Sequence, residues 1–131
     1  MPDNLRKDIS AYRLDMAKEC LVTANNNIAA GDFKAAANRS YYCIFNTMRA
    51  VLALDSFDSK KHSGIISEFR RTYIKQDVFP TEFSDIIKEA FDTRGKSDYD
   101  DFYVISKDEV ASQIENARIF LGAVEKYLAD K

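Results

Sequence analysis

The side chains best suited to chemistry on a phosphate gather in one short stretch, Arg94-Gly95-Lys96-Ser97-Asp98-Tyr99-Asp100. An arginine presents a planar fork that matches phosphate oxygens in a bidentate way. Asp98 lies four positions on, so the pair equally suits a salt bridge that closes a helix. Two further sets belong with this stretch. Arg39, Tyr42, Asn46 and Arg49 recur at steps of 3, 4 and 3, which puts charge, amide and aromatic groups on one helix face. That face could line a site or a subunit contact, or simply carry arginines lying over apolar neighbours. His62, the only histidine, sits beside Lys60 and Lys61 in a run to Lys75 whose one acid is Glu68. An ordinary solvated helix face explains such a run as well.

Several chemistries are excluded by what is missing. There is no glycine-rich phosphate loop and no Gly-x-Ser-x-Gly elbow. One histidine cannot build a multi-histidine zinc site, and no Glu-x-x-His pair supports a di-iron centre. Counting a calcium loop from Asp98 puts Tyr103 at the sixth position, where Gly is required for the sharp turn, so the pattern fails although Glu109 fills the twelfth. No metal and no cofactor are therefore expected. Cys20 and Cys43 stand among apolar neighbours, too far apart in sequence for a redox pair, and read as reduced, buried thiols. The start of the chain lacks a signal-peptide pattern and no apolar run approaches ~20 residues, so a cytoplasmic protein without a membrane partner is expected. A net charge of −2 excludes coating nucleic acid by bulk charge and leaves only a local patch for such contact.

The elements that must position these residues are helical. The 131 residues suit one domain, 1–131, able to bury its own core. Leu5, Ile9, Tyr12, Met16, Cys20, Ala24 and Ile28 recur at steps of three or four and predict a helix over 4–29. Gly31 ends it and Asp32 caps the next, over 33–54, whose core stripe is Ala37, Tyr41, Ile44, Met48, Val51 and Leu52. A short helix follows over 61–75. Pro80 suits the first turn of a fourth helix, which Gly95 stops, leaving Asp98 to Tyr103 as a loop. Ser106 and Glu109 form a capping box opening the last helix. The expectation is an all-α, antiparallel bundle of four long helices and one short one. The first, second and last helices carry apolar faces wide enough to bury a dimer contact as well as a core.

Asn38-Arg39-Ser40-Tyr41-Tyr42, Phe45, Arg49-Ala50, Lys61-His62-Ser63-Gly64, and Arg94 with Ser97-Asp98-Tyr99-Asp100 stand in the order and spacing of prokaryotic HEPN domains (higher eukaryotes and prokaryotes nucleotide-binding). Over nearly its whole length the chain resembles the small, stand-alone branch of that family. The resemblance implies a helical homodimer with a cleft between protomers. It also implies a toxin-like protein, often paired with a minimal nucleotidyltransferase, whose active members are metal-independent ribonucleases. Arg94 falls at the family's catalytic arginine. The motif's histidine would stand at position 99, 100 or 101, where this chain has Tyr99, Asp100 and Asp101.

That departure leaves the chemistry open. Metal-free RNA cleavage needs a base, an acid and positive charge. Ordinary aspartate is a weak base at neutral pH, and ordinary tyrosine is protonated. One reading is a subunit that binds nucleotide or RNA through Arg94, Asp98 and Tyr99, with Arg39, Tyr42, His62 and Lys96 assisting. In that reading Tyr99 is a candidate to accept a nucleotidyl group from the partner enzyme. A second is an active endoribonuclease toxin whose base is Asp98, Tyr99 or His62, which for His62 requires the fold to bring it beside Arg94. A third is a helical interaction module with no nucleotide role.

Overall fold

The computed structural model describes residues 2–100 and 102–131. Five α-helices follow in order: α1 (Asp3–Ala29), α2 (Phe33–Ala53), α3 (His62–Phe69), α4 (Glu82–Tyr99) and α5 (Lys107–Ala129). One π-helical turn, Arg70–Ile74, prolongs α3. The all-α bundle of four long helices and one short one is as the periodicity predicts.

The α1–α2 connection is built by its sequence. Gly31 adopts φ 80°. Its N–H bonds to Ile28 O and that of Asp32 to Asn27 O, the paired closure that a left-handed residue allows. The Asp32 carboxylate then accepts from Ala35 N–H and starts α2. Cross-helix bonds Arg6 to Leu54 O, Arg13 to Arg49 O and Arg39 to Cys20 Sγ shorten in sequence separation toward that turn, so the two helices are antiparallel. Ser106 and Glu109 make the predicted capping box at the start of α5.

The second helix is the axis of the bundle. All six residues of its predicted stripe are fully buried, and Ala36, Ser40, Cys43, Phe45, Asn46 and Thr47 are buried around them. A helix covered on nearly every side needs neighbours on nearly every side, and α1, α3, α4 and α5 all pack on it. Its buried polar groups are partnered: Gln113 of α5 donates to Ala37 O and Ser40 Oγ, and Thr47 donates to Cys43 O. Phe69, Tyr73, Phe79, Phe83 and Phe120 stack into an aromatic layer beside it. Cys20 and Cys43 are both buried and free, and burial pushes the Cys43 thiol up to about 12.

One expectation needs correction. Gly95 does not stop α4, which continues to Tyr99. Gly95 keeps a right-handed conformation, the Arg94–Asp98 ion pair spans it one turn apart, and Ser97 is buried. The helix instead ends where Asp100 becomes extended and its carboxylate accepts from Phe102 N–H. Asp98 and Tyr99 therefore belong to the last helical turn rather than to a loop. The apolar stripe of α1 is also only partly covered: Cys20 and Ala24 are buried, whereas Leu5 is 48% and Tyr12 66% exposed.

Candidate functional site

The middle of α2 presents Tyr41, Tyr42 and Phe45, and three cations lie against these rings. The Arg39 guanidinium sits 5.1 Å from the Tyr42 centroid. Arg94, reaching over from α4, lies 5.5 Å from Tyr41 and 5.6 Å from Tyr42. Arg49 is 5.9 Å from Phe45. Such contacts hold a guanidinium by its face; the N–H edge of Arg39 donates to Asn38 and that of Arg49 to Asp58. Arg94 Nη2 donates to the Tyr42 hydroxyl at 3.3 Å. Its Nε lies 2.9 Å from Asp98 Oδ2, but the N–H is not directed at that oxygen, so the contact is an ion pair. Arg94 Nη1 finds no partner among the described residues and is not sealed from solvent.

His62, the first residue of α3, joins this group from the other side. Its Nδ1 is 2.7 Å from the Tyr41 hydroxyl. Its ring stacks on Phe45 at 4.2 Å and meets Tyr42 edge-on at 5.8 Å. Burial, and then the positive charges of Arg94 and Arg49, hold the imidazole below its ordinary value. Burial likewise pushes the Tyr41 phenol well up, only partly offset by Arg94, so it stays protonated. The loop before α3 is tied down from both sides. Asp58 accepts from Arg49, from Arg13 of α1 and from Ser59 N–H, and the Ser59 hydroxyl in turn accepts from Lys61 N–H. Burial alone would raise the Asp58 carboxyl, but the bonds from Arg49 and Ser59 N–H and the charge of both arginines outweigh it and lower it.

Of the residues singled out in the sequence, Arg94, Tyr42, Arg39 and His62 come together around α2. Asp98 pairs with Arg94 and shares a surface cleft with Arg39, Asn27, Asp32 and Lys34. Tyr99 is 81% exposed. Lys96 lies over the Tyr103 ring at 5.9 Å, beside the start of α5. Asp101 lies outside the described residues. Tyr41, read as core alone, proves to be both core and the partner of His62. Arg13 and Asp58 had no local signal, because their link to Arg49 joins three separate segments. Among the described residues no three His, Cys, Asp or Glu side chains gather as metal ligands would. Among the described residues, no helix is long and apolar enough to cross a membrane.

The HEPN domain profile matches residues 10–127. The chain belongs to the HEPN domain family. A protein named "Putative toxin" from Methanocaldococcus jannaschii is 30% identical over 118 residues, covering 90% of this chain and 80% of that one. A "UPF0332 protein" from Thermotoga maritima is 29% identical over 127 residues, covering 97% of this chain and 96% of the relative. Another from Archaeoglobus fulgidus is 29% identical over 112 residues, with 83% and 86% covered.

Proposed function

We propose that this chain is a toxin-like HEPN protein that binds RNA through the face of α2 on which Arg94 is mounted. The observation that carries this reading is the alternation of Arg39, Tyr42, Arg94, Tyr41, Phe45 and Arg49 in one layer of contacts. Guanidinium edges meet phosphates, and the half-buried Tyr42 ring is the one with surface left to stack on an unpaired base. The binding group at its centre is Arg94 Nη1, with Asp98 fixing the rest of the fork. The patch is local, as a chain of net charge −2 requires.

The functional unit in this reading is a homodimer. Tyr12, left exposed on α1, lines one surface cleft with Arg13 and Arg49, so a second protomer there extends the basic layer. Family resemblance adds a minimal nucleotidyltransferase as partner, with exposed Tyr99 as its acceptor. The toxin naming of a relative supports the two-component setting. The test is fluorescence anisotropy with a labelled single-stranded RNA: the wild-type protein binds and Arg94→Ala does not. Equal binding by both, or none by the wild type, rejects the reading.

A further inference from the structure

A hollow of about 350 Å³ opens where the start of α1, the end of α2 and the end of α5 meet. Its apolar wall is built by leucines from three elements: Leu14 of α1, Leu54 just past α2 and Leu128 of α5, each left half-buried. A space of this size falls at the scale of small-molecule clefts, and covering the three leucines is favourable.

The polar groups of the hollow are few and ordered along α1. Ser10 is 5% exposed, its hydroxyl has no hydrogen-bond partner among the described residues, and yet its oxygen is not sealed. A hydroxyl so enclosed opens on the hollow that the residue lines. Ser40, equally enclosed in α2, gives its proton to Ala37 O of the preceding turn, the usual recourse of a serine within a helix. Ser10 makes no such bond, and a ligand oxygen that accepts from it removes the cost of an unmade one. Lys7 stands one turn before Ser10 on the same face. Lys131 joins it from the end of α5, its ammonium 4.6 Å from the Tyr127 ring. Among the described residues neither lysine pairs with a carboxylate. The one acid lining the hollow, Glu125, is held by Lys18 at 3.3 Å. At steps of 3, 4 and 4, α1 therefore lays out an unpaired cation, an unpartnered hydroxyl, a leucine and the lysine that neutralises Glu125.

We propose that this hollow binds an anionic amphiphile, a single alkyl chain ending in a carboxylate. The carboxylate accepts from the Ser10 hydroxyl and faces Lys7 and Lys131, and the chain lies over Leu14, Leu54 and Leu128. Charge sets the sign of the head group, because the only acid present is already neutralised and the cations are not. No residue lining the hollow belongs to the Arg94 layer or to the cleft that holds Tyr12. The site is thus independent of the RNA-binding reading, and a dimer formed through Tyr12 leaves it open.

The test is amide NMR of the isotope-labelled full chain, titrated with decanoate kept well below its micelle threshold. Shifts should gather at Ser10, Ala11, Leu54 and Ala129 and saturate as one site. Decanol, which lacks the charge, should bind several-fold more weakly, and decyltrimethylammonium should leave those amides unmoved. Lys7→Glu, at an exposed position, should weaken decanoate several-fold, and Ser10→Ala should weaken it less. Ala11→Trp, also at an exposed position, should close the mouth and abolish binding. Melting temperatures matching the wild type show that each variant is folded, and Lys7→Glu decides if Ala11→Trp is not. Shifts scattered over exposed side chains such as Phe102 and Val104, no shift at all, an equal response to the cationic amphiphile, or wild-type affinity in folded Lys7→Glu each overturn the inference.

Discussion

The Tyr41 hydroxyl and His62 Nδ1 lie 2.7 Å apart, tying the first residue of α3 to the most enclosed helix of the bundle. This contact places the only histidine beside the rings that carry Arg94. Burial first, and then the charges of Arg94 and Arg49, hold it below the ordinary imidazole value.

Proton NMR reads that titration without assignment, because a single histidine gives a single imidazole set. The midpoint should fall below the ordinary value of about 6.5, owing to burial first and to Arg94 and Arg49 second. Arg94→Ala should move it back up. The unfolded chain then binds the proton more readily than the folded one, so this group costs stability as pH falls through about 6.5 toward the folded midpoint. A midpoint at or above that of a free imidazole contradicts the placement.

Gly64 holds α3 against the loop that precedes it. A Cβ there would stand 2.9 Å from Ser59 Cβ and closer still to its Oγ. Gly64→Ala should cost roughly 1–3 kcal/mol by overpacking. Adding Ser59→Gly removes the obstructing side chain and should restore part of the loss, a coupling that urea denaturation of the four-member cycle measures. Independent, additive effects would show that the close approach is not the cause.

Most of the fold was legible from spacing alone, and the exceptions have physical causes. The α2 stripe, the Gly31–Asp32 turn and the Ser106–Glu109 box are set by residues within a turn or two of each other. Gly95 misled because glycine ends a helix only where a left-handed residue is needed, and an ion pair across it held the helix together instead. The site was half legible. Arg94, Arg39, Tyr42 and His62 stood out by type, but their meeting depends on α3 and α4 packing on α2, which periodicity does not specify. The Arg13–Asp58–Arg49 link was invisible for the same reason.

Asp58 occupies the N–H edges of Arg13 and Arg49 that a phosphate would otherwise take. Asp58→Asn should therefore tighten RNA binding and steepen its salt dependence, with the slope growing by about one unit for each arginine released. Anisotropy titrations from about 50 to 200 mM salt give that slope. Weaker binding by the variant would mean that Asp58 positions the arginines rather than competing for them.

Light scattering should give a mass about twice the 14.9 kDa of one chain. Tyr12→Glu, at the exposed end of the α1 stripe, should shift the protein toward monomer without lowering its melting temperature at concentrations where both are monomeric. A wild-type protein of single-chain mass at micromolar concentration would place the subunit contact out of the account.

The most direct measurement compares RNA affinity for the wild type, Arg94→Lys and Arg94→Ala in one buffer. The account predicts tight binding, then partial loss as the fork is replaced by a point charge, then loss to the level of a protein with no patch. Three indistinguishable affinities would contradict it.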